Sequence, residues 1–245
     1  MSKVASLNHE VIGSMNHIHR YDLRNFKGRI FFTTDLHGSY DLLHEKLKEV
    51  GFDSTRDILI VGGDNTDRGP DSCHVLDYLY EPWYISIAGN HEEIFIGAYE
   101  EGFNECKAYS GCLFDNGGDW ARTLMPAHAK AIYEAFKGLP LAIELLLPNE
   151  TVGIIHAEVP YSDWELFKNM EETEYRWDGR NTAQWGRDKY RYSNQSSVNN
   201  IDRVFVGHTP TKSGEVEVLG NVHYCDLGSF FRDKISFVEI YNGSN

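Results

Sequence analysis

The 245-residue chain contains no apolar run approaching membrane-spanning length. Its longest, 139–147 and 152–155, fall far short of the roughly 20 residues a helix needs to cross a bilayer. Residues 1–20 mix His, Asn and Glu with scattered apolar side chains and lack the apolar stretch of a secretory leader, so a cytoplasmic location is the expectation. The four cysteines, Cys73, Cys106, Cys112 and Cys225, include no C-x-x-C spacing, which removes a thiolate metal or redox motif and leaves reduced structural thiols. Positive charge is scarce: 23 Lys and Arg against 37 Asp and Glu give a formal charge of -14. Nucleic acids and anionic membranes are held mainly by cations on phosphate, so neither is an expected partner. A phosphorylated substrate remains compatible with this balance, because bound divalent cations would concentrate positive charge where a phosphate must sit. There is no internal repeat and no low-complexity linker.

Hydrophobic residues make up 41% of the chain, enough for one substantial core. In the first half, strand-like runs at 29–34, 58–61 and 83–88 alternate with helical spacing at 41–50, 73–79 and 92–101, the order of an α/β fold. A helical block is expected over 117–136. Strands are expected at 141–147, 151–156, 203–206, 215–219, 222–224 and 234–240, giving a second sheet packed on the first. Residues 161–200, rich in Trp, Tyr, Arg, Asp and Asn with weak periodicity, read as a partly helical loop over the active face. The division expected is an extension over 1–20 and one domain over 21–245.

Five hydrophobic runs end in polar chemistry: Asp35-Leu36-His37-Gly38, Gly63-Asp64-Asn65-Thr66-Asp67-Arg68-Gly69, Gly89-Asn90-His91-Glu92, Ile155-His156-Ala157 and Gly207-His208-Thr209-Pro210. The first three lie at the carboxyl ends of adjacent strands, where open α/β sheets bind ligands. Carboxylates, imidazoles and one amide, with no thiolate, suit Mn²⁺, Fe²⁺ or Zn²⁺. Asp35 and His37 can meet on one ion where the strand has ended and Gly38 lets the chain turn back. Asp64 could touch two ions, and Asn90, His156 and His208 would complete the second. Two ions about 3.5–4 Å apart can share a hydroxide and hold both oxygens of an in-line displacement, which is phosphoester hydrolysis. His91 could then protonate the leaving oxygen with Asp67 orienting it, while Arg68 offers a planar fork to the phosphate.

These segments resemble the phosphoprotein phosphatase superfamily of metallophosphoesterases, with its GDxHG, GDxxDRG and GNHE motifs and later single histidines, and in particular serine/threonine protein phosphatases of bacteriophage lambda type. The likeness runs over 21–241 and includes Asn116-Gly117-Gly118-Asp119-Trp120 and Ile155-His156-Ala157-Glu158. It implies an α/β fold of the calcineurin-like kind, a β-sandwich of two packed mixed sheets flanked by helices. By the same resemblance one ion takes Asp35, His37 and Asp64, and the other Asp64, Asn90, His156 and His208. Asp67 and His91 form the acid pair, while Arg68, Asn90 and Arg187 bind the phosphate, with Arg176, Arg180 and Arg191 as neighbouring competitors of Arg187. The implied cofactor is a pair of divalent ions, manganese first, with iron or zinc as alternatives. The implied substrate is a phosphorylated protein or peptide, carried on serine, threonine or also tyrosine. A symmetrical dinucleoside tetraphosphate hydrolase and a non-catalytic binding module of the same fold are the alternatives. Two departures stand out: Thr34 replaces the family's Gly before Asp35, adding bulk beside the metals, and Asn65-Thr66 replace an apolar pair, a change expected to affect packing more than chemistry.

Overall fold

The computed structural model describes residues 7, 9–13, 17–174 and 178–243. In chain order these form β1 (His9–Ile12), β2 (Ile18–Asp22), β3 (Arg29–Thr33), α1 (Tyr40–Glu49), β4 (Ile58–Val61), α2 (Val75–Leu79), β5 (Tyr84–Ser86), α3 (Asn90–Glu100), α4 (Ala108–Asp115) and α5 (Pro126–Lys137). The second half continues with β6 (Ala142–Leu146), β7 (Thr151–Ile155), α6 (Trp164–Lys168), α7 (Glu172–Glu174), α8 (Arg180–Trp185), α9 (Asp188–Arg191), β8 (Arg203–Val206), β9 (Glu217–Leu219), β10 (Val222–Tyr224), α10 (Ser229–Arg232) and β11 (Val238–Asn242).

Among the described residues, β3, β4 and β5 run parallel and β11 closes their edge antiparallel, giving the order β11-β3-β4-β5. The other sheet has the order β1-β2-β6-β7-β8-β10-β9 and mixes both senses of pairing. Strand alternation explains the layers. Ile30, Phe32, Ile58 and Ile60 point toward Ile143, Leu145, Val152, Ile154 and Phe205 of the other sheet, with the Phe32 and Phe205 rings 5.4 Å apart. Phe31, Leu59 and Val61 point the opposite way, onto Leu36, Tyr40 and Leu43. The outer face of the larger sheet, including Ala142, Ile155 and Val204, is covered by Trp164, Phe167, Ala183 and Tyr190. Each such side chain contributes about 1.5–3 kcal/mol on full burial, so the chain is a helix-flanked two-sheet sandwich held from three apolar layers.

The expected division at residue 20 falls inside β2, which pairs in parallel register with β6 from Ile18↔Ala142 to Asp22↔Leu146. The segment expected as an extension thus contains β1 and the first three residues of β2 in the larger sheet. Arg20 and Lys168 flank the buried Glu144 carboxylate, at 2.6 and 3.2 Å, and the Trp164 indole donates to it at 2.6 Å. Those bonds tie β2, β6 and α6 together around a charge that would be costly to bury alone. The helical block expected over 117–136 is divided, because Pro126 starts α5 at a position where its missing N–H costs nothing. Residues 161–200 do contain helices, as expected, and α8 reaches back to the motif loops. The competitor Arg176 lies outside the described residues.

Candidate active site

Strands β3, β4 and β5 are parallel neighbours, so the loops leaving their carboxyl ends converge. The loops after β3, β4 and β8 turn sharply on non-glycine residues: Asp35, His37, Asp64, Asp67, Arg68 and His208 all hold positive φ, between 46° and 73°. Such backbone costs of order 1–3 kcal/mol per residue and persists where surrounding bonds over-determine it. Those bonds are present. The fully buried Glu92 accepts from the N–H groups of Gly89, Asp64 and Asn65 at 2.7, 2.9 and 2.8 Å, and from the Asn65 amide at 3.0 Å. Glu92 stands three residues after Gly89, at the capping-box position of α3, and one carboxylate therefore caps a helix and clamps the neighbouring turn. Burial raises its pKa. From the other side, the Gln184 amide of α8 donates to the Gly89 carbonyl at 2.9 Å.

Asp64 is the centre. Its Oδ1 accepts the His91 backbone N–H at 3.0 Å. Its Oδ2 faces the Nε2 atoms of His156, His37 and His91 at 3.4, 3.8 and 3.9 Å. The tautomers follow from the partners of Nδ1, since a carbonyl only accepts: His37 Nδ1 donates to the Thr66 carbonyl at 3.0 Å and His156 Nδ1 to the Gly62 carbonyl at 2.7 Å. Both rings thus turn Nε2 toward a carboxylate, the second-sphere arrangement that prepares an imidazole as a ligand. His156 Nε2 also meets Asn90 Oδ1 at 2.9 Å, and His208 Nε2 is buried with no hydrogen-bond partner.

Two groups have ligand atoms within 4.8 Å of one another: His37, Asp64 and His91, and Asp64, His156 and His208. This donor set fits a pair of divalent cations. Lone pairs converging on a buried carboxylate need a cation or proton among them, and the unpartnered His208 nitrogen is accounted for by an ion. Burial lowers His37 to a pKa of about 3 and His208 to about 2, keeping both in the neutral form that ligates. Burial also acts to lower His156, but the Asp64 carboxylate outweighs it and holds that imidazole up to about 10. Burial opposes ionisation of Asp64 itself, and the imidazoles around it, His156 foremost, hold its pKa well below the usual carboxylate range.

Asp35 stands outside both groups. Its carboxylate accepts the His208 backbone N–H at 3.1 and 3.0 Å and the Thr34 hydroxyl at 2.6 Å, and burial raises its pKa to about 6. In this arrangement it ties the first motif loop to the last. His91, expected outside the ligand set, brings Nε2 inside one, while its Nδ1 is 2.6 Å from Asp67 Oδ2. Burial acts to lower His91, and Asp64 with Asp67 raises it above the ordinary imidazole value.

A cavity of about 230 Å³ opens over this cluster, lined among others by Asp64, Asn90, His91, His208, Arg68 and Arg187. Arg68 stacks 4.4 Å from the Phe230 ring centroid and donates from Nη1 to His37 Nε2 at 2.8 Å, the lone pair an ion would use. Arg187 is half-buried and donates to the Thr209 hydroxyl at 3.3 Å. Two of its competitors lie elsewhere: Arg180 pairs with Glu93 at 3.5 Å, and Arg191 faces Asp188 at 3.9 Å on the surface. Sequence reasoning quoted Glu92 within a motif but gave it no role, and passed over Gln184, Phe230 and the buried Asp226, which also lines the cavity. Only Glu92 carried a sequence signal, its spacing from Gly89.

A two-sheet α/β sandwich with a buried carboxylate shared among imidazoles at its strand ends defines a metallophosphoesterase. Residues 28–237 match the model of the calcineurin-like phosphoesterases, and the chain belongs to that family. It is similar to serine/threonine-protein phosphatase 2 of Escherichia coli, 31% identical over 86% of this chain and 92% of that protein. It is also similar to serine/threonine-protein phosphatase 1 of Salmonella typhimurium, 29% identical over 90% and 95% of the two chains. In fold it is similar to the crystal structure of a protein assigned as a diadenosine tetraphosphatase, with a TM-score of 0.57, 19% identity, and 91% and 98% of the two chains covered. Among the described residues no helix is long and apolar enough to cross a membrane.

Proposed function

We propose that this chain is a manganese-dependent phosphomonoesterase acting on phosphoserine and phosphothreonine, and also on phosphotyrosine, in proteins or peptides. One arrangement carries the reading: a single cavity is lined by Asp64, Asn90, His91 and His208 together with Arg68 and Arg187, while the buried Asp67 holds the His91 ring. Asp35, His37 and Asp64 would hold one ion, with Asp35 turning from its present bonds. Asp64, Asn90, His156 and His208 would hold the other. When bound, such ions neutralise phosphate charge and lower the pKa of the attacking water.

The remaining chemistry belongs to the side chains. Arg68 and Arg187 present planar forks to the non-bridging oxygens, orienting the phosphorus for in-line attack. As the P–O bond breaks, its electron pair leaves with the alkoxide or phenoxide oxygen, and His91 Nε2 supplies the proton. Asp67 holds the ring through Nδ1 and balances the charge of the imidazolium. The four cysteines are free, which agrees with the reducing conditions of a cytoplasmic protein.

The test sets a phosphoserine peptide beside diadenosine tetraphosphate in manganese buffer. The phosphopeptide is expected to be turned over with at least tenfold higher kcat/KM. The opposite order would transfer the reading to nucleotide hydrolysis, and no turnover of either with manganese, iron or zinc would favour a binding module.

A further inference from the structure

The loop after α4 touches the acid pair through Asp67. Asp67 is fully buried and uses both carboxylate oxygens: Oδ2 meets His91 Nδ1 at 2.6 Å, and Oδ1 accepts the Trp120 indole N–H, also at 2.6 Å. Its backbone N–H donates to the Ser72 hydroxyl at 2.9 Å. The Trp120 ring is held in turn, stacked on Phe95 of α3 with centroids 5.5 Å apart and planes 11° from parallel. The same loop reaches the neighbouring residue, for the Arg68 backbone N–H donates to the Gly117 carbonyl at 3.0 Å. A side chain at position 117 would meet that N–H: an added Cβ lies 2.8 Å from the Arg68 nitrogen, and Gly117 holds φ of 86°. Gly117 therefore admits a close backbone approach. It lets the loop press against the Asp67-Arg68 turn, with Trp120 bonded to the carboxylate.

A carboxylate with one oxygen free can rotate about its last bond and present either oxygen to a histidine. With Oδ1 tied to an indole N–H, the rotation is closed and the Oδ2 lone pair stays on the His91 Nδ1 axis. His91 Nε2 is thereby aimed in a fixed direction, and a general acid displaced from the line to the leaving oxygen loses much of its effect. We infer that Trp120 is a positioning residue for proton donation to the leaving group, acting through Asp67 on His91. This rests on the acid role proposed above for His91. The bond broken is P–O and the proton moves from His91 Nε2 to the departing oxygen, while Trp120 exchanges nothing and keeps its N–H throughout.

A leaving group that departs readily as an anion needs no proton, so a defect in donation shows only with poor ones. Trp120→Phe keeps a ring to stack on Phe95 and removes the N–H. With the full-length protein in manganese buffer, kcat is expected to fall about tenfold or more for phenyl phosphate and a phosphoserine peptide. It should fall less than about twofold for 2,4-dinitrophenyl phosphate, with KM and manganese content held within about twofold. His91→Asn is expected to show the same dependence with larger amplitude. Phe95→Leu loosens the packing of the Trp120 ring but leaves its N–H, and is expected to lower the melting midpoint with an even loss across the three substrates. An equal fall for all substrates in Trp120→Phe, alongside a leaving-group-dependent fall in His91→Asn, would overturn the inference while sparing the acid reading. An even fall in His91→Asn would overturn both. A dependence in Phe95→Leu as steep as in Trp120→Phe would also overturn it, since packing would then be the cause.

Discussion

The two three-ligand groups that share Asp64 are built differently. Around His156 and His208 the Nε2 atoms have little besides metal chemistry to do: that of His156 faces Asn90 and Asp64, and that of His208 is buried without a partner. Around His37 and His91 every group has a second engagement. Arg68 donates to His37, and Asp67 holds His91. On the function proposed, the first arrangement, on the β7 and β8 ends, would be a holding site. The second, with His37 after β3, Asp64 after β4 and His91 after β5, would on that reading mix holding with phosphate contact and proton transfer, so substitutions there should separate metal binding from turnover.

The largest effect on this contrast comes from taking away both ions. Full chelation with EDTA should lower turnover of p-nitrophenyl phosphate by about 10³-fold or more, since ions that stabilise the phosphoryl transition state are worth several kcal/mol. Manganese should restore it, and turnover that persists in a metal-free preparation, checked by elemental analysis, would sink the reading. Asp64→Asn, which both groups need, should approach the same loss. Next come the paired variants: His208→Ala should weaken manganese binding by at least about 100-fold, whereas His91→Asn should lower kcat about 10²–10⁴-fold and keep most of the metal. Equal metal loss in the two variants, measured by elemental analysis after gel filtration, would make His91 a ligand and erase the contrast. A smaller effect belongs to the clamp. Glu92→Gln presents an amide N–H₂ to four N–H donors, and should cost roughly 2–3 kcal/mol, about 4–12 °C in melting midpoint for a chain this size.

The same contrast explains what could be read from sequence. The motif residues brought to the cavity, Asp64, Asn90, His91 and His208, sit in short motifs directly after strands, so the strand pattern places them at carboxyl ends of β4 and β5 in one sheet and of β8 in the other. Asp35 and His91 show the limit: their positions follow from the motifs, but their partners depend on which way a carboxylate or ring turns, and that is set by His208, Thr34 and Asp67 across the fold. β1 and β2 escaped notice because His, Glu, Arg and Asp interrupt any apolar run in His9–Ile12 and Ile18–Asp22. β2 also takes its place by pairing with β6 more than a hundred residues away, a contact that local pattern does not encode. Trp120 was visible as part of a motif, yet nothing in Asn116-Gly117-Gly118-Asp119-Trp120 says that its indole reaches Asp67.

The smallest expected effect tests the departure at Thr34. Expected as mere bulk beside the metals, its hydroxyl instead donates to Asp35 Oδ2 at 2.6 Å. Room for it comes from Gly207, where an added Cβ would lie 2.1 Å from the Thr34 oxygen. Thr34→Val keeps the branched shape and removes only the hydroxyl, so packing is preserved and a buried hydrogen bond to a carboxylate is lost. About 1–2 kcal/mol of stability should go with it, read as a fall of a few degrees in melting midpoint. The two groups should respond unequally. Asp35 would hold the ion shared with His37, so manganese titration should show up to about tenfold change in one binding step, while the step assigned to His156 and His208 stays within about twofold. If both steps move together, the Asp35 bond to the His208 backbone couples the groups, and they act as one centre despite their different construction.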